Sequence, residues 1–254
     1  MCFGDKTTIP AKSMPQSVNT QHKPTLYLFP VPLSEGAPSR VLPADNIDIL
    51  KRVKYFVVEN LRSARRFLKA CDRSIDIDSL HFTELSEHTP VEEVAAMLAP
   101  MEAGHDIGVI SEAGCPAVAD PGADLVAVAQ RRGLEVCPLV GPSSILMSLM
   151  GSGFNGQNFA FIGYLPVDNG ARTSRLKELE RRIRREQQTQ IFIETPYRNN
   201  KLIEELSRTV AADIRLCVAS DITGPKQQIT TLPIAQWRTR KYDYNKIPTI
   251  FLLG

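Results

Sequence analysis

Ile107-Gly108-Val109-Ile110-Ser111-Glu112-Ala113-Gly114-Cys115-Pro116-Ala117-Val118-Ala119-Asp120-Pro121-Gly122 is the stretch that decides the fold. A short apolar run ends in small residues and prolines, and a helical pattern follows at 123–132. Strand, tight turn and helix in that order make one unit of a parallel α/β layer. The unit recurs outward. β-rich runs at 25–31, 55–59, 81–84, 107–111 and 134–139 alternate with helical patterns at 44–53, 61–70, 91–103 and 123–132. Gly104 and Gly133 stand where the last two helices should stop. The alternation predicts a mainly parallel sheet with helices on its faces.

Beyond Gly141-Pro142-Ser143-Ser144 comes one short apolar helix, then Gly151-Ser152-Gly153-Phe154-Asn155-Gly156, the expected boundary between two lobes. Strands are expected at 158–164, 189–194, 214–219, 227–232 and 248–253, with helices at 171–188 and 199–210. The expected organisation is a tail over 1–23, an N-terminal α/β lobe over 24–150 and a C-terminal α/β lobe over 151–254.

Bulk properties narrow the classes of function. Of 254 residues, 43% are apolar and 23% charged, as in soluble globular proteins. A formal net charge of +2 excludes a polycation, so nucleic-acid binding would need a local patch. Cys2, Cys71, Cys115, Cys137 and Cys217 are scattered without a C-x-x-C pair. That argues against a disulfide framework or any metal site, and for a cytoplasmic location. No apolar run is long enough to cross a bilayer. Residues 1–22 are polar and contain Pro10 and Pro15, which predicts a flexible tail and not a secretory signal.

Ligands of open α/β sheets bind beyond the carboxyl ends of the strands. The loops there begin Pro30-Val31-Pro32-Leu33 and Ser111-Glu112-Ala113-Gly114. Small residues and prolines let a ligand approach main-chain N–H and C=O groups closely. The Ser111–Gly122 loop is neither a G-x-G-x-x-G fingerprint nor a phosphate loop, which removes the best support for hydride transfer or nucleotide hydrolysis. The plain alternative is a tight strand-to-helix turn, with Asp120 capping a helix whose first turn holds Pro121.

The stretch from Ser111 to Gly122 resembles the S-D-A-G-T-P-x-x-S-D-P-G signature of the tetrapyrrole methylase superfamily, in particular its ribosomal RNA small subunit methyltransferase I branch. Thr25-Leu26-Tyr27-Leu28-Phe29-Pro30-Val31-Pro32-Leu33 resembles the family's opening strand and loop. Glu59-Asn60-Leu61-Arg62 resembles its E-D-T-R, Glu87-His88 its E-H, Gly141-Pro142-Ser143 its G-P-S, and Glu194-Thr195-Pro196-Tyr197-Arg198 its E-S-P-x-R. The resemblance implies S-adenosylmethionine held in a cleft between two α/β lobes with mainly parallel or mixed sheets, mostly by main-chain contacts, in a homodimer. By matching positions, Leu33, Ala113, Gly114, Cys115, Pro116 and Val118 would line the cofactor, joined by Ser143, Ser144 and Ile145 and by Ile193 and Thr195. Leu33, Val118 and Ile145 suit the faces of adenine, and the hydroxyls its polar edge. Asn60, Leu61, Glu112 and Cys115 depart from the pattern, as does Ser34-Glu35-Gly36-Ala37-Pro38-Ser39 after Leu33. The departures gather on the acceptor side.

A hydroxyl acceptor must lose a proton, and Glu59, Glu112 and His88 are the candidates to take it. Glu59 paired with Arg62, and His88 on a surface loop, are the structural alternatives. Arg62, Arg65, Arg66 and Lys69 fall at i, i+3, i+4 and i+7 on one helix face beside Glu59, which suits RNA phosphates or a solvated surface. The helix at 171–188 is richer in arginine but carries Glu178, Glu180 and Glu186 as well, and is expected chiefly as a solvated face. Cys115 has no basic neighbour in sequence and reads as a small loop residue. Three functions stay open: methylation of ribosomal RNA at a ribose 2′-hydroxyl, methylation of a tetrapyrrole or other small molecule, and a catalytically silent cofactor-binding protein.

Overall fold

The computed structural model describes residues 23–254, so the expected N-terminal tail lies, apart from Lys23, outside the described residues. The first half builds β1 (Thr25–Phe29), α1 (Ala44–Arg52), β2 (Tyr55–Val58), α2 (Leu61–Cys71), β3 (His81–Glu84), α3 (Val91–Ala96), α4 (Ala99–Glu102), β4 (Ile107–Ile110), α5 (Gly122–Arg131) and β5 (Glu135–Pro138). The strands form one sheet in the order β3-β2-β4-β1-β5, and every pairing is parallel. Leu50 of α1 and Ala64, Phe67 and Leu68 of α2 close one face. Val94, Met101, Leu125, Val128 and Ala129, from α3 to α5, close the other. Burial on both faces explains why the inner strands β1, β2 and β4 read as nearly continuous apolar runs, while the edge strands β3 and β5 do not. Gly108 sits at the middle of the layer, where a Cβ would come within 2.7 Å of the Phe56 ring and 2.9 Å of Phe29. The missing side chain leaves room for both rings.

The single helix expected over 91–103 is two. α3 stops at Ala96, and the chain restarts as α4 with Pro100 in its first turn. Pro100 has no N–H to give the turn before it, and its ring would clash with the carbonyl of Ala96 in a continuous helix.

The second half builds α6 (Ser144–Ser152), β6 (Phe159–Tyr164), α7 (Asn169–Glu186), β7 (Thr189–Ile193), α8 (Asn199–Thr209), β8 (Arg215–Ser220), β9 (Gln228–Pro233), α9 (Ile234–Trp237) and β10 (Thr249–Leu253). Its sheet runs β6-β7-β10-β8-β9, and only the β6–β7 pair is parallel. Period-two alternation sorts the side chains. Phe192, Val218, Phe251 and Leu253 pack against α7, α8 and α9. Ile191, Cys217, Ala219, Ile250 and Leu252 face the other way, with Leu149 of α6, Ile145 and Leu33. Each large side chain removed from water contributes about 1.5–3 kcal/mol, so a slip by one residue would invert both faces at a large cost. α6 packs on β8, β9 and β10, which places the change from one sheet to the other ahead of Ser144 and not at the glycine-rich stretch after it. Among the described residues no helix is long and apolar enough to cross a membrane.

Candidate active site

From β1 the chain crosses to β2 on one side of the sheet; from β4 it crosses to β5 on the other. The loops leaving β1 and β4 therefore part at the point where an open parallel sheet binds its ligands. Val31 and Gly114 pin these loops together, each N–H donating to the other's carbonyl at 2.8 and 2.9 Å. Gly114 has φ +76°, a conformation that any side chain would strain, and a Cβ there would meet Leu33 at 3.3 Å.

The next turn holds two alanines in the same left-handed region, Ala117 at φ 66° and Ala119 at φ 61°. Each costs about 1–2 kcal/mol for an L-residue. The Asp120 carboxylate sustains them: Oδ1 accepts from the N–H of Ala117 and of Gly122, both at 2.8 Å. Asp120 was expected to cap the helix with Pro121 inside it. Instead Pro121 occupies the N-cap of α5, and Asp120 braces the loop against the first helical N–H. The strain has a visible result, for Val118, between the alanines, is 48% exposed and stands on the wall of a cavity.

That cavity, of about 400 Å³, lies between these loops and the second sheet. Leu33, Glu59, Ser111, Glu112, Ala113, Val118 and Asp120 line it from the first half, and Ser144 and Ile145 from the start of α6. Phe161, Tyr164, Ile193, Glu194, Ala219, Ile222 and Ile250 line it from the second. Six of the cofactor-lining positions anticipated from sequence (Leu33, Ala113, Val118, Ser144, Ile145 and Ile193) are thus brought together on one wall or another. The remaining five are not on the wall. Gly114 is in the main-chain bridge, and Pro116 is buried beneath the loop. The Cys115 thiol reaches the Pro142 carbonyl at 3.5 Å, and Ser143 Oγ caps α6 by accepting from Leu146 N–H. Thr195 donates its N–H to Glu194 Oε1 at 2.7 Å.

A cavity at the switch point of a parallel sheet, closed by a second sheet, invites comparison with known proteins. The model for Tetrapyrrole (Corrin/Porphyrin) Methylases matches residues 41–237. The chain belongs to that family. It is 27% identical over 213 residues to the ribosomal RNA small subunit methyltransferase I of Vibrio cholerae, covering 84% of this chain and 70% of that protein. The corresponding figures are 28% over 188 residues, 74% and 64%, for the protein of that name in Pseudomonas aeruginosa. For that of Micromonospora olivasterospora they are 31% over 204 residues, 80% and 61%. Matches thus span between three-fifths and seven-tenths of those relatives. Among solved structures, the methyltransferase CobJ superposes with a TM-score of 0.59 at 17% identity, covering 91% of this chain and 92% of that one. Uroporphyrin-III-C-methyltransferase from Thermus thermophilus gives 0.53 at 18%, covering 91% and 97%. These likenesses establish a shared fold.

The protein is therefore an S-adenosylmethionine-dependent methyltransferase, and the residues present fit that cofactor. A volume of about 400 Å³ lies within the range of small-molecule sites. Its apolar wall suits a flat purine. Its other wall carries Glu59, Glu112 and Asp120, none of which has an ion-pair partner among the described residues. Unpaired carboxylates favour a cationic sulfonium and disfavour an anion. Burial raises the pKa of Glu59 above the usual carboxylate range, and the nearby Asp120, Glu112 and Glu87 add to it against one hydrogen bond from the Glu112 N–H. Asp120 is raised too, first by burial, with its hydrogen bonds opposing. Cys115 is pushed up by burial and then by Asp120, which keeps the thiol protonated and unsuited to nucleophilic attack.

Glu59 does not pair with Arg62. Its Oε2 accepts from Glu112 N–H at 3.0 Å, while Asn60 Oδ1 caps α2 by accepting from Arg62 and Ser63 N–H. Ser63 then donates its hydroxyl to Glu112 Oε1 at 2.5 Å, tying the first turn of α2 to the cavity loop. Two of the three proposed acid–base groups thus share the cavity. His88 does not: its ring is 88% exposed on a turn at 86–89, 3.7 Å from Glu87. On α2, Arg62, Arg65 and Arg66 are exposed and make no ion pair among the described residues, and Arg65 lies over the Phe82 ring. Lys69 is engaged, donating Nζ to the carbonyls of Arg73 and Ile75 at 3.1 and 2.6 Å. Sequence reasoning missed Phe161, Tyr164, Ala219, Ile222 and Ile250, which ordinary strand and loop patterns hide. It treated Asp120 only as a cap, although its place in the signature marked it.

Proposed function

We propose that the protein methylates small-subunit ribosomal RNA at a ribose 2′-hydroxyl. The observation that carries this reading is the joining of a basic helix to an acid-walled cavity. Through Ser63 and Glu112, α2 holds Arg62, Arg65 and Arg66 beside the cavity, where phosphates of a large acceptor would lie. The printed names of the relatives agree with it. When bound, S-adenosylmethionine supplies a methyl group already activated by its cationic sulfur. Leu33, Val118, Ile145 and Ile193 would hold the purine, and Ala113 would offer main-chain contacts. Glu59 is the group best placed to accept the hydroxyl proton. Its raised pKa brings it closer to neutrality than an ordinary glutamate, and the Glu112 N–H fixes its orientation. Glu112 orients the first turn of α2 and shares the negative field.

Two further parts belong to the proposal. The two sheets act as lobes that meet at the cofactor, and the protein works in the cytoplasm as a homodimer. Exposed Val140, Leu146 and Met150, along and just ahead of α6, form the apolar surface expected of a subunit contact. The test offers methyl-labelled cofactor with small ribosomal subunits, naked ribosomal RNA and a tetrapyrrole extract. Label in alkali-resistant dinucleotides from the small-subunit RNA is the expected result, because a 2′-O-methyl group blocks the cleavage that needs a free 2′-hydroxyl. Label confined to the small-molecule fraction overturns the reading.

A further inference from the structure

The carboxylates that suit a cationic methyl donor set a condition on the acceptor. Glu59, Glu112 and Asp120 face the cavity without ion-pair partners, so a phosphate drawn inside would meet their field. An RNA acceptor must therefore keep its phosphates at the rim and pass only a nucleoside inward. The opposite rim carries what such a nucleoside needs. Tyr164 ends β6 on the cavity wall and is 62% exposed; Tyr197 follows Pro196, another wall residue, and is 74% exposed. Lys246 Nζ lies 5.8 Å from the centroid of the Tyr197 ring, and its own N–H donates to the Pro196 carbonyl at 3.0 Å. Lys246 has no carboxylate partner among the described residues, so its charge is available.

We propose that Tyr164 and Tyr197 form a shelf on which the base of an unpaired acceptor nucleotide stacks, with Lys246 meeting its phosphate. This rests on the RNA reading above and adds that the acceptor is single-stranded or extruded from its helix. Stacking on an aromatic ring is tolerant of sequence, and so the shelf selects an unpaired nucleotide without choosing the base.

The test compares wild type with Tyr164→Ala, Tyr197→Ala and Tyr197→Trp. Readouts are methyl transfer to small-subunit ribosomal RNA, binding of a fluorescein-labelled single-stranded oligoribonucleotide and of a blunt, fully paired duplex of matched composition, cofactor affinity by calorimetry, and mass by light scattering. Each alanine variant should lose about tenfold in kcat/KM and in single-strand affinity, with duplex affinity and mass unchanged, and Tyr197→Ala, which lies off the cavity wall, should also keep its cofactor affinity. Tyr197→Trp should retain activity, and its new indole should be quenched by the single strand. Alanine variants that match wild type on a wild-type-competent RNA overturn the shelf and leave the RNA reading standing. A change of mass in those variants assigns the rings to a subunit contact, which also overturns it. Failure of wild type to bind or methylate RNA removes both readings together.

Discussion

Two arginine-rich helices look alike on paper and differ in what their charges do. On α7, Arg172 is buried and donates to Glu205, to the carbonyls of Pro166 and Val167, and to Asn169. Arg175 and Arg182 share Glu178, and Arg184 forms a two-pronged pair with Asp213. On α2, by contrast, Arg62, Arg65 and Arg66 meet no carboxylate among the described residues, and the two acids bonded to the helix's first turn are held by other groups: Glu84 by the Leu61 N–H, Glu112 by Ser63. Four of the longer helix's arginines are engaged, and two of them, Arg172 and Arg184, tie it to Glu205 and Asp213 beyond the helix. The shorter one leaves its charge for something outside the molecule. A count of basic residues carries no information about binding until their partners are known.

The comparison breaks most visibly at Arg172. Arg172→Met should lower stability by about 3–5 kcal/mol, because it strands two carbonyls and a half-buried carboxylate. Chemical denaturation measures the loss, and a change under 1 kcal/mol would mean that the buried network is not structural.

Next comes the unpaired acid at the cavity. Glu59→Gln should reduce methyl transfer about a hundredfold, as loss of a general base does. The wild-type rate should rise with pH through a group titrating above the ordinary glutamate range, and the variant should lose that limb. Stability moves the other way. A pKa raised in the folded state means that the native protein holds this proton more tightly than the unfolded chain. The contribution is therefore full below the unfolded value and is lost as pH rises through the folded one, and Glu59→Gln should flatten that decline.

Smaller again is the effect of Arg65→Gln with Arg66→Gln. RNA affinity should fall, and the slope of log affinity against log salt should become shallower by about 1.4–1.8 for two lost phosphate contacts. Stability and cofactor affinity should hold. An unchanged slope would make α2 as self-contained as α7. Smallest of all, Arg184→Gln removes an exposed pair and should leave RNA affinity and the denaturation midpoint where they are.

How far the molecule was legible depends on how local the cause is. All ten strands were visible as short β-rich runs between turn residues, with ends displaced by at most a residue or two. The loop from Ser111 to Gly122 was visible as a ligand loop because small residues, two prolines and an aspartate stand together. The break between α3 and α4 was missed because apolar spacing continues through Pro100, and only the clash with the preceding turn interrupts it. The antiparallel pairing of β7, β10 and β8 was not readable at all: a strand's own residues state which face is apolar, not which neighbour it takes.

The same distinction runs through the site. Sequence by itself determined the family, the cofactor and the first-half loops, since a continuous segment of chain encodes each of these. Tertiary structure alone decided that Phe161, Tyr164, Ala219, Ile222 and Ile250 close the cavity, that His88 stands away from it, and that α2 leaves Arg62, Arg65 and Arg66 without ion pairs among the described residues while α7 pairs Arg172, Arg175, Arg182 and Arg184. The reason is distance along the chain. Partners such as Ser63 with Glu112, or Arg172 with Glu205, meet only once the helices have packed on their sheets, and nothing in either residue's neighbourhood announces the other.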